Sequence, residues 1–150
     1  MAGRNAQKSK ILHSDGGSTG TFAIVEGVTS ISGPNGTANV IDVTDLESTA
    51  KESVPGLADY GTLQLDVNWR GATEQVALYN MFADNADPEF FKMALPEQAA
   101  GTSYGVFAFD ASVTAFEFGA AVDGKQTCRI TLKVSGQLDY TPNVASGSLA

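Results

Sequence analysis

The stretch of this sequence closest to a reactive motif is GAAVDGKQ, where Gly119, Gly124 and Lys125 fall at the G-x-x-x-x-G-K spacing whose backbone amides and lysine cradle phosphate. Gln126 stands where the Mg²⁺-binding hydroxyl belongs, and the segment joins two strand-like runs with no helix N-terminus to receive an anion. Asp123-Gly124 has the residue types of a two-residue hairpin turn. Gly16-Gly17-Ser18-Thr19-Gly20 lacks dinucleotide-binding spacing and reads as linker. The single histidine, His13, lies in a polar stretch, and the single cysteine, Cys128, sits in an apolar alternation that reads as core, so no nucleophile and base pair up. Asp42, Asp45 and Glu47, or Asp84, Asp87 and Glu89, are acidic sets without the Gly-turned spacing of a calcium loop and read as solvated loop acids. The pattern thus proposes no catalytic residue, no cofactor and no metal ligand.

The elements that could position such groups follow from size and pattern. A chain of 150 residues, 43% hydrophobic and 17% charged, is long enough for one buried core. Nine Lys and Arg against seventeen Asp and Glu give 9 − 17 = −8, a field that repels phosphate and opposes a DNA-gripping role. The basic start lacks the apolar run of a secretory signal, no apolar run approaches the roughly 20 residues needed to cross a bilayer, and one cysteine cannot pair internally. Folding in a reducing cytoplasm is the expectation.

Residues 1–21 are polar and Gly/Ser-rich and read as a flexible arm, residues 22–138 as one domain, and residues 139–150 as a flexible tail. Strands are expected at residues 21–31 and 38–43, followed by a long loop over residues 44–59, which shows neither period. Leu63, Leu65, Val67 and Trp69 alternate with Gln64, Asp66 and Asn68, the clearest strand of the chain. Thr73 can cap a short helix whose Leu78, Met81 and Phe82 share one face. Further strands follow at residues 90–95, 104–110, 112–118 and 126–138. Short strands with turns and one helix predict a mainly β fold, a β-sandwich or barrel-like sheet with one flanking short α-helix. Val106 and Ala108 lie on one side of a strand with Phe107 and Phe109 on the other, so either the monomer buries both faces or another subunit covers one.

Residues 28–69 carry Gly33-Pro34, Ile41-Asp42-Val43-Thr44, Leu46, Ser48-Thr49-Ala50-Lys51-Glu52, Pro55-Gly56-Leu57, Gly61 and Leu65 in an order that resembles the N-terminal half of the major tail tube proteins of long-tailed, non-contractile bacteriophages. The TLKVSG run at residues 131–136 looks similar to that family's last strand. The resemblance implies a structural virion protein and not an enzyme: a subunit of hexameric rings whose strands form a continuous barrel around a lumen. The rings stack into a tail tube through which DNA is ejected without specific binding. Partners would be further copies of the chain and other tail proteins (tail tip, terminator, tape measure), in the host cytoplasm during assembly and then in the virion tail.

On that reading Thr44, Leu46, Ser48, Thr49, Ala50, Lys51, Glu52, Pro55, Gly56 and Leu57 form an inter-ring stacking loop, with Leu46 and Leu57 as apolar anchors and Lys51 available to Asp45 or Glu47 across the joint. Gln64, Asp66 and Asn68, opposite the apolar face of their strand, are the candidate lumen residues. Two other readings remain open: a tube subunit of a contractile injection or type VI secretion-like apparatus, and a carbohydrate-binding β-sandwich with exposed aromatics.

Overall fold

Alternation of apolar residues forces strands to share one buried face, and the chain satisfies this with a single bent sheet. The structure, a computed structural model, describes residues 8–14, 16–97, 103–145 and 149. Its elements are β1 (Lys10–Ser14), β2 (Ala23–Ile24), β3 (Val28–Ser32), β4 (Thr37–Asp42), β5 (Ser53–Asp59), β6 (Thr62–Asn68), the helix α1 (Thr73–Ala83), β7 (Glu89–Pro96), β8 (Ser103–Gly119) and β9 (Thr127–Ala145). Seven strands form an antiparallel sheet in the order β2-β1-β7-β8-β9-β6-β3, and β4 pairs with β5 alone.

The two longest strands make the sheet a sandwich. β7 pairs along residues 104–111 of β8, whereas β6 pairs along residues 127–133 of β9. The β8–β9 ladder is broken by three register shifts, at Tyr104/Val106, Ala108/Asp110 and Val113/Ala115, irregularities that bend a strand and raise its twist. Beyond the bend β8 and β9 continue into a second wall with β6 and β3. Ile11, Phe91, Met93 and Phe109 from one wall meet Leu63, Leu65, Ile130 and Leu132 from the other in one buried cluster, joined by Leu78 and Met81 of α1. Full burial of such side chains contributes about 1.5–3 kcal/mol each.

The mainly β fold and flanking helix agree with expectation; several boundaries do not. Residues 10–14, expected within a flexible arm, form β1 between β2 and β7, because Ile11 faces the main core and Leu12 a second, smaller one. That second core (Leu12, Phe22, Ala94, Tyr104, Val106 and Leu149) covers the opposite face of β1, β7 and β8. Val106 and Phe109 are thereby both buried within the monomer, on different sides of β8. The two strands expected at 104–110 and 112–118 are one, and β9 runs on to Ala145, through residues expected to start a flexible tail. The rest of the expected arm and tail, residues 1–7, 15, 146–148 and 150, lies outside the described residues. The expected loop over residues 44–59 is half strand: β5 returns along β4, so the segment is a hairpin.

The helix starts at Thr73 itself, so its cap lies one residue before the expected one. Ala72 takes the N-cap position, and the start is fixed by Gln75, which is fully buried. Its Oε1 accepts from the backbone N–H of Arg70 (2.9 Å) and Ala72 (3.4 Å), and its Nε2 donates to the carbonyls of Glu26 (2.8 Å) and Asn68 (2.9 Å). Gly27 makes room for this joint: with φ of +77°, a Cβ there would lie 2.7 Å from the Asn68 carbonyl.

Candidate assembly surfaces

The β4–β5 hairpin carries most of the residues expected to stack, and it stands off the body. Every residue of β4 is exposed, and of β5 only Gly56 is partly covered. Val40, Ile41, Val43 and Val54 are exposed, and Leu46 and Leu57 are essentially uncovered at 105% and 96%. An isolated two-stranded hairpin is marginal in water, and exposed apolar clusters of this kind mark surfaces meant to be covered.

The tip is nevertheless shaped. Thr44 donates its Oγ1 proton to the Glu52 carbonyl (3.2 Å) and accepts from the Glu52 N–H (2.8 Å), while the Val43 N–H reaches the same carbonyl (3.0 Å). The Asp45 carboxylate accepts from the Glu47 N–H (3.0 Å) and the Ser48 hydroxyl (3.0 Å), and Asp42 accepts from the Thr44 N–H (2.9 Å). Hydrogen bonds from Thr44 hold the Asp42 carboxyl below its usual range, and the Ser48 hydroxyl, then the Glu47 N–H, does the same for Asp45. These acids shape a turn. Thr49, Ala50 and Lys51 are exposed at its end, and Lys51 has no ion pair among the described residues.

The second surface is the polar face of β3, β6, the first half of β9 and the last half of β8. Gln64, Asp66 and Asn68 pair across from Thr131, Arg129 and Thr127, so these side chains share the face turned away from the core. Arg129 Nε donates to Asp66 Oδ1 (2.9 Å), Ser30 donates to Asp66 Oδ2 (2.8 Å), and Lys133 Nζ donates to Asp59 Oδ1 (2.8 Å). The Arg129 bond, then that of Ser30, lowers the Asp66 pKa, and Lys133 lowers that of Asp59. Both flanks of this four-stranded wall are open among the described residues: β3 pairs only with β6, and residues 112–119 of β8 pair only with β9.

A third surface lies where α1 crosses the end of β8. Phe118 contacts Trp69 (5.0 Å between ring centroids) and Tyr79 (6.3 Å), and Phe116 contacts Tyr79 (5.6 Å) and Phe82 (5.8 Å). Val76, Tyr79, Phe82 and Phe118 are exposed along this strip. The helical spacing of Leu78, Met81 and Phe82 pointed only to the core; that Val76 and Tyr79 form a second apolar face shows only once β8 is seen to end beside them.

The residue types that could do chemistry take structural places instead. The G-x-x-x-x-G-K stretch joins β8 to β9, with a turn closed by the Gly124 N–H on the Ala121 carbonyl (3.1 Å); Val122 and Asp123 are its central residues, so Asp123-Gly124 is not a two-residue hairpin loop. Cys128 is buried in the main core, and burial pushes its thiol pKa up. His13, expected in a flexible arm, is buried in β1 against the Phe91 ring. Its Nδ1 lies 2.8 Å from Glu74 Oε2 and its Nε2 bonds to Glu89 Oε2, tying β1 to α1 and β7. Glu89 is therefore not a solvated loop acid. No group of metal-ligating side chains gathers among the described residues.

No protein-family model matches the sequence, and no curated protein does. Solved structures do match over nearly the whole chain. A chain of the virion of a native gene transfer agent particle superposes with a TM-score of 0.72 at 16% identity, covering 93% of this chain and 99% of that one. A chain from the cap of the anti-feeding prophage, its tube terminating cap, gives 0.70 at 15% identity over 95% and 93%. One from the SPP1 tail tube gives 0.65 at 16% identity over 92% and 78%. This chain has the β-sandwich fold of tail tube proteins.

Proposed function

We propose that this protein is the subunit of a tail tube, polymerising as stacked rings around a channel for DNA, and that it catalyses nothing. The observation that carries the reading is the β4–β5 hairpin, whose Leu46 and Leu57 are uncovered and whose Val40, Ile41, Val43 and Val54 are exposed among the described residues. A subunit that displays Val40, Leu46 and Leu57 to water is built to bury them against another.

The polar wall supports the same reading. β8, β9, β6 and β3 alternate in direction, so the open edge of β3 in one copy meets the open edge of β8 in the next antiparallel, and copies close into a barrel without a free edge. A ring of six follows the C6 symmetry of the gene transfer agent tail, a chain of which superposes with a TM-score of 0.72 at 18% identity. Gln64, Asp66 and Asn68 then line the lumen. Arg129 and Lys133 on that face are closed on carboxylates and so are not free to hold phosphates as DNA passes. Terminator, tail tip and tape measure proteins would meet the ends and interior of the tube.

A contractile apparatus is the second reading, favoured by the match to the sheath-tube complex of an extracellular contractile injection system (TM-score 0.66, 16% identity). A sheath bound around the purified tube would support it.

The test is Leu46→Asp combined with Leu57→Asp. Both side chains are fully exposed in the monomer, so folding stability changes by less than about 0.5 kcal/mol. Negative-stain electron microscopy should show hollow tubes for the unaltered chain and none for the variant. Long tubes from the double variant would defeat the reading.

A further inference from the structure

We propose that the β4–β5 hairpin of one copy docks on the aromatic strip of another, with its apolar residues on Val76, Tyr79, Phe82 and Phe118 and its acids against Arg70 and Lys125. This inference rests on the tube-subunit reading and names the surface that receives the arm.

The two surfaces are complementary in both shape of charge and apolar content. Over residues 42–58 the arm carries Asp42, Asp45, Glu47 and Glu52 against Lys51 alone, 1 − 4 = −3. Asp42 and Asp45 spend their carboxylates on the tip, while Glu47 and Glu52 have no ion pair among the described residues. Arg70 follows Trp69 directly, and the Trp69 N–H bonds to the Gln126 carbonyl (2.9 Å), which brings the Lys125 segment beside the same end of the strip. Arg70 and Lys125 are exposed and have no ion pair among the described residues. Four other described cations are occupied: Arg129 and Lys133 by carboxylates, Lys10 and Lys92 by the rings of Tyr104 and Phe22.

Two unpaired cations at the rim of an exposed apolar strip, and two unpaired acids on an exposed apolar arm, fit the usual anatomy of an interface with an apolar centre and a polar rim. Among the described residues β4 and β5 pair only with each other, and the apolar side chains of the arm stand exposed. The occupant is therefore a second copy.

Two measurements test the docking, both at the concentration where the unaltered chain forms tubes. In the first, chains carrying Leu46→Cys are mixed with chains carrying Val76→Cys and oxidised. A disulfide-linked dimer should appear on a non-reducing gel, and none when Leu95→Cys on β7 replaces Val76→Cys. In the second, Arg70→Glu with Lys125→Glu should raise the critical concentration for tube formation about tenfold, and adding Glu47→Lys with Glu52→Lys should return it to within about threefold. No Leu46–Val76 cross-link, equal cross-linking to position 95, or a charge reversal without effect or without compensation would overturn the docking. If those occur while Leu46→Asp with Leu57→Asp still abolishes tubes, the arm stacks elsewhere and the function stands. Tubes that survive the leucine replacements remove the function itself.

Discussion

Replacing Gln75 should cost more stability than replacing any ion pair on the surface. Gln75→Met keeps the volume but removes four hydrogen bonds, leaving the N–H groups of Arg70 and Ala72 and the carbonyls of Glu26 and Asn68 without their partner. At roughly 1 kcal/mol for each bond lost, and less for the 3.4 Å contact, the loss is about 3 to 4 kcal/mol. Against a typical stability of about 5–15 kcal/mol that is a large share. Urea unfolding followed by circular dichroism reads it directly: with an m-value of about 1.5 kcal/mol/M, the midpoint should fall by about 2 M at unchanged slope. Gln75→Glu should not rescue, because it keeps the acceptor for the two amides but turns an oxygen toward the two carbonyls. Gly27→Ala should give a comparable loss, since its Cβ would sit 2.7 Å from the Asn68 carbonyl and 3.0 Å from Gln75 Nε2. The two changes break one joint, so together they should cost less than their sum. A Gln75→Met variant within about 1 kcal/mol of the parent would refute the assignment of this side chain as the anchor of α1.

Acid should loosen the arm. The Asp42 and Asp45 carboxyls sit below the ordinary value in the folded chain, so their contribution is complete above about pH 4 and is lost as pH falls through the lowered values; NMR heteronuclear NOEs at Thr44, Glu47 and Ser48 should drop there, and rigid values down to pH 2 would count against it. His13→Ala leaves Glu74 and Glu89 facing each other without the ring between them and should cost about 3 kcal/mol, or about 10 °C in Tm; an unchanged melting temperature would show that the bridge is idle. Cys128 is 2% exposed and burial raises its pKa, so a thiol reagent at pH 8 should label the native chain much more slowly than the urea-unfolded one, and equal rates would show the thiol to be accessible.

The sequence makes legible those elements whose pattern is local. Leu63, Leu65 and Val67 alternate because one face of β6 is buried, and residues 73–83 show helical spacing over Leu78 and Met81. β5 escaped because Pro55 and Gly56 disfavour strands and neither of its faces is buried in the monomer, which removes the alternation that announces a strand. β1 escaped because it is five residues long with one apolar pair, Ile11 and Leu12, that serves two different cores. The continuity of β8 escaped because its register shifts interrupt the period where it leaves one wall for the other. Of the candidate site residues, Gln64, Asp66 and Asn68 were legible as one face, whereas the partners Arg129 and Ser30 come from distant positions and needed the register of three strands. His13 and Gln75 had no local signal at all: a buried polar side chain is recognised by what it bonds, and all of their partners except the backbone of Asn68, Arg70 and Ala72 lie far along the chain.

The passage of β8 and β9 through both walls also fixes how the domain answers to force. A sandwich whose sheets are joined only by loops can be prised apart at the core, where nothing but apolar contact resists. Here two covalent backbones span the seam, hydrogen-bonded to each other on both sides of it. Parting the walls therefore means bending both strands and breaking that ladder at the seam, which apolar contact alone would not require. The weak direction is left to the hairpin, which can flex at its base while the body it extends from stays stiff.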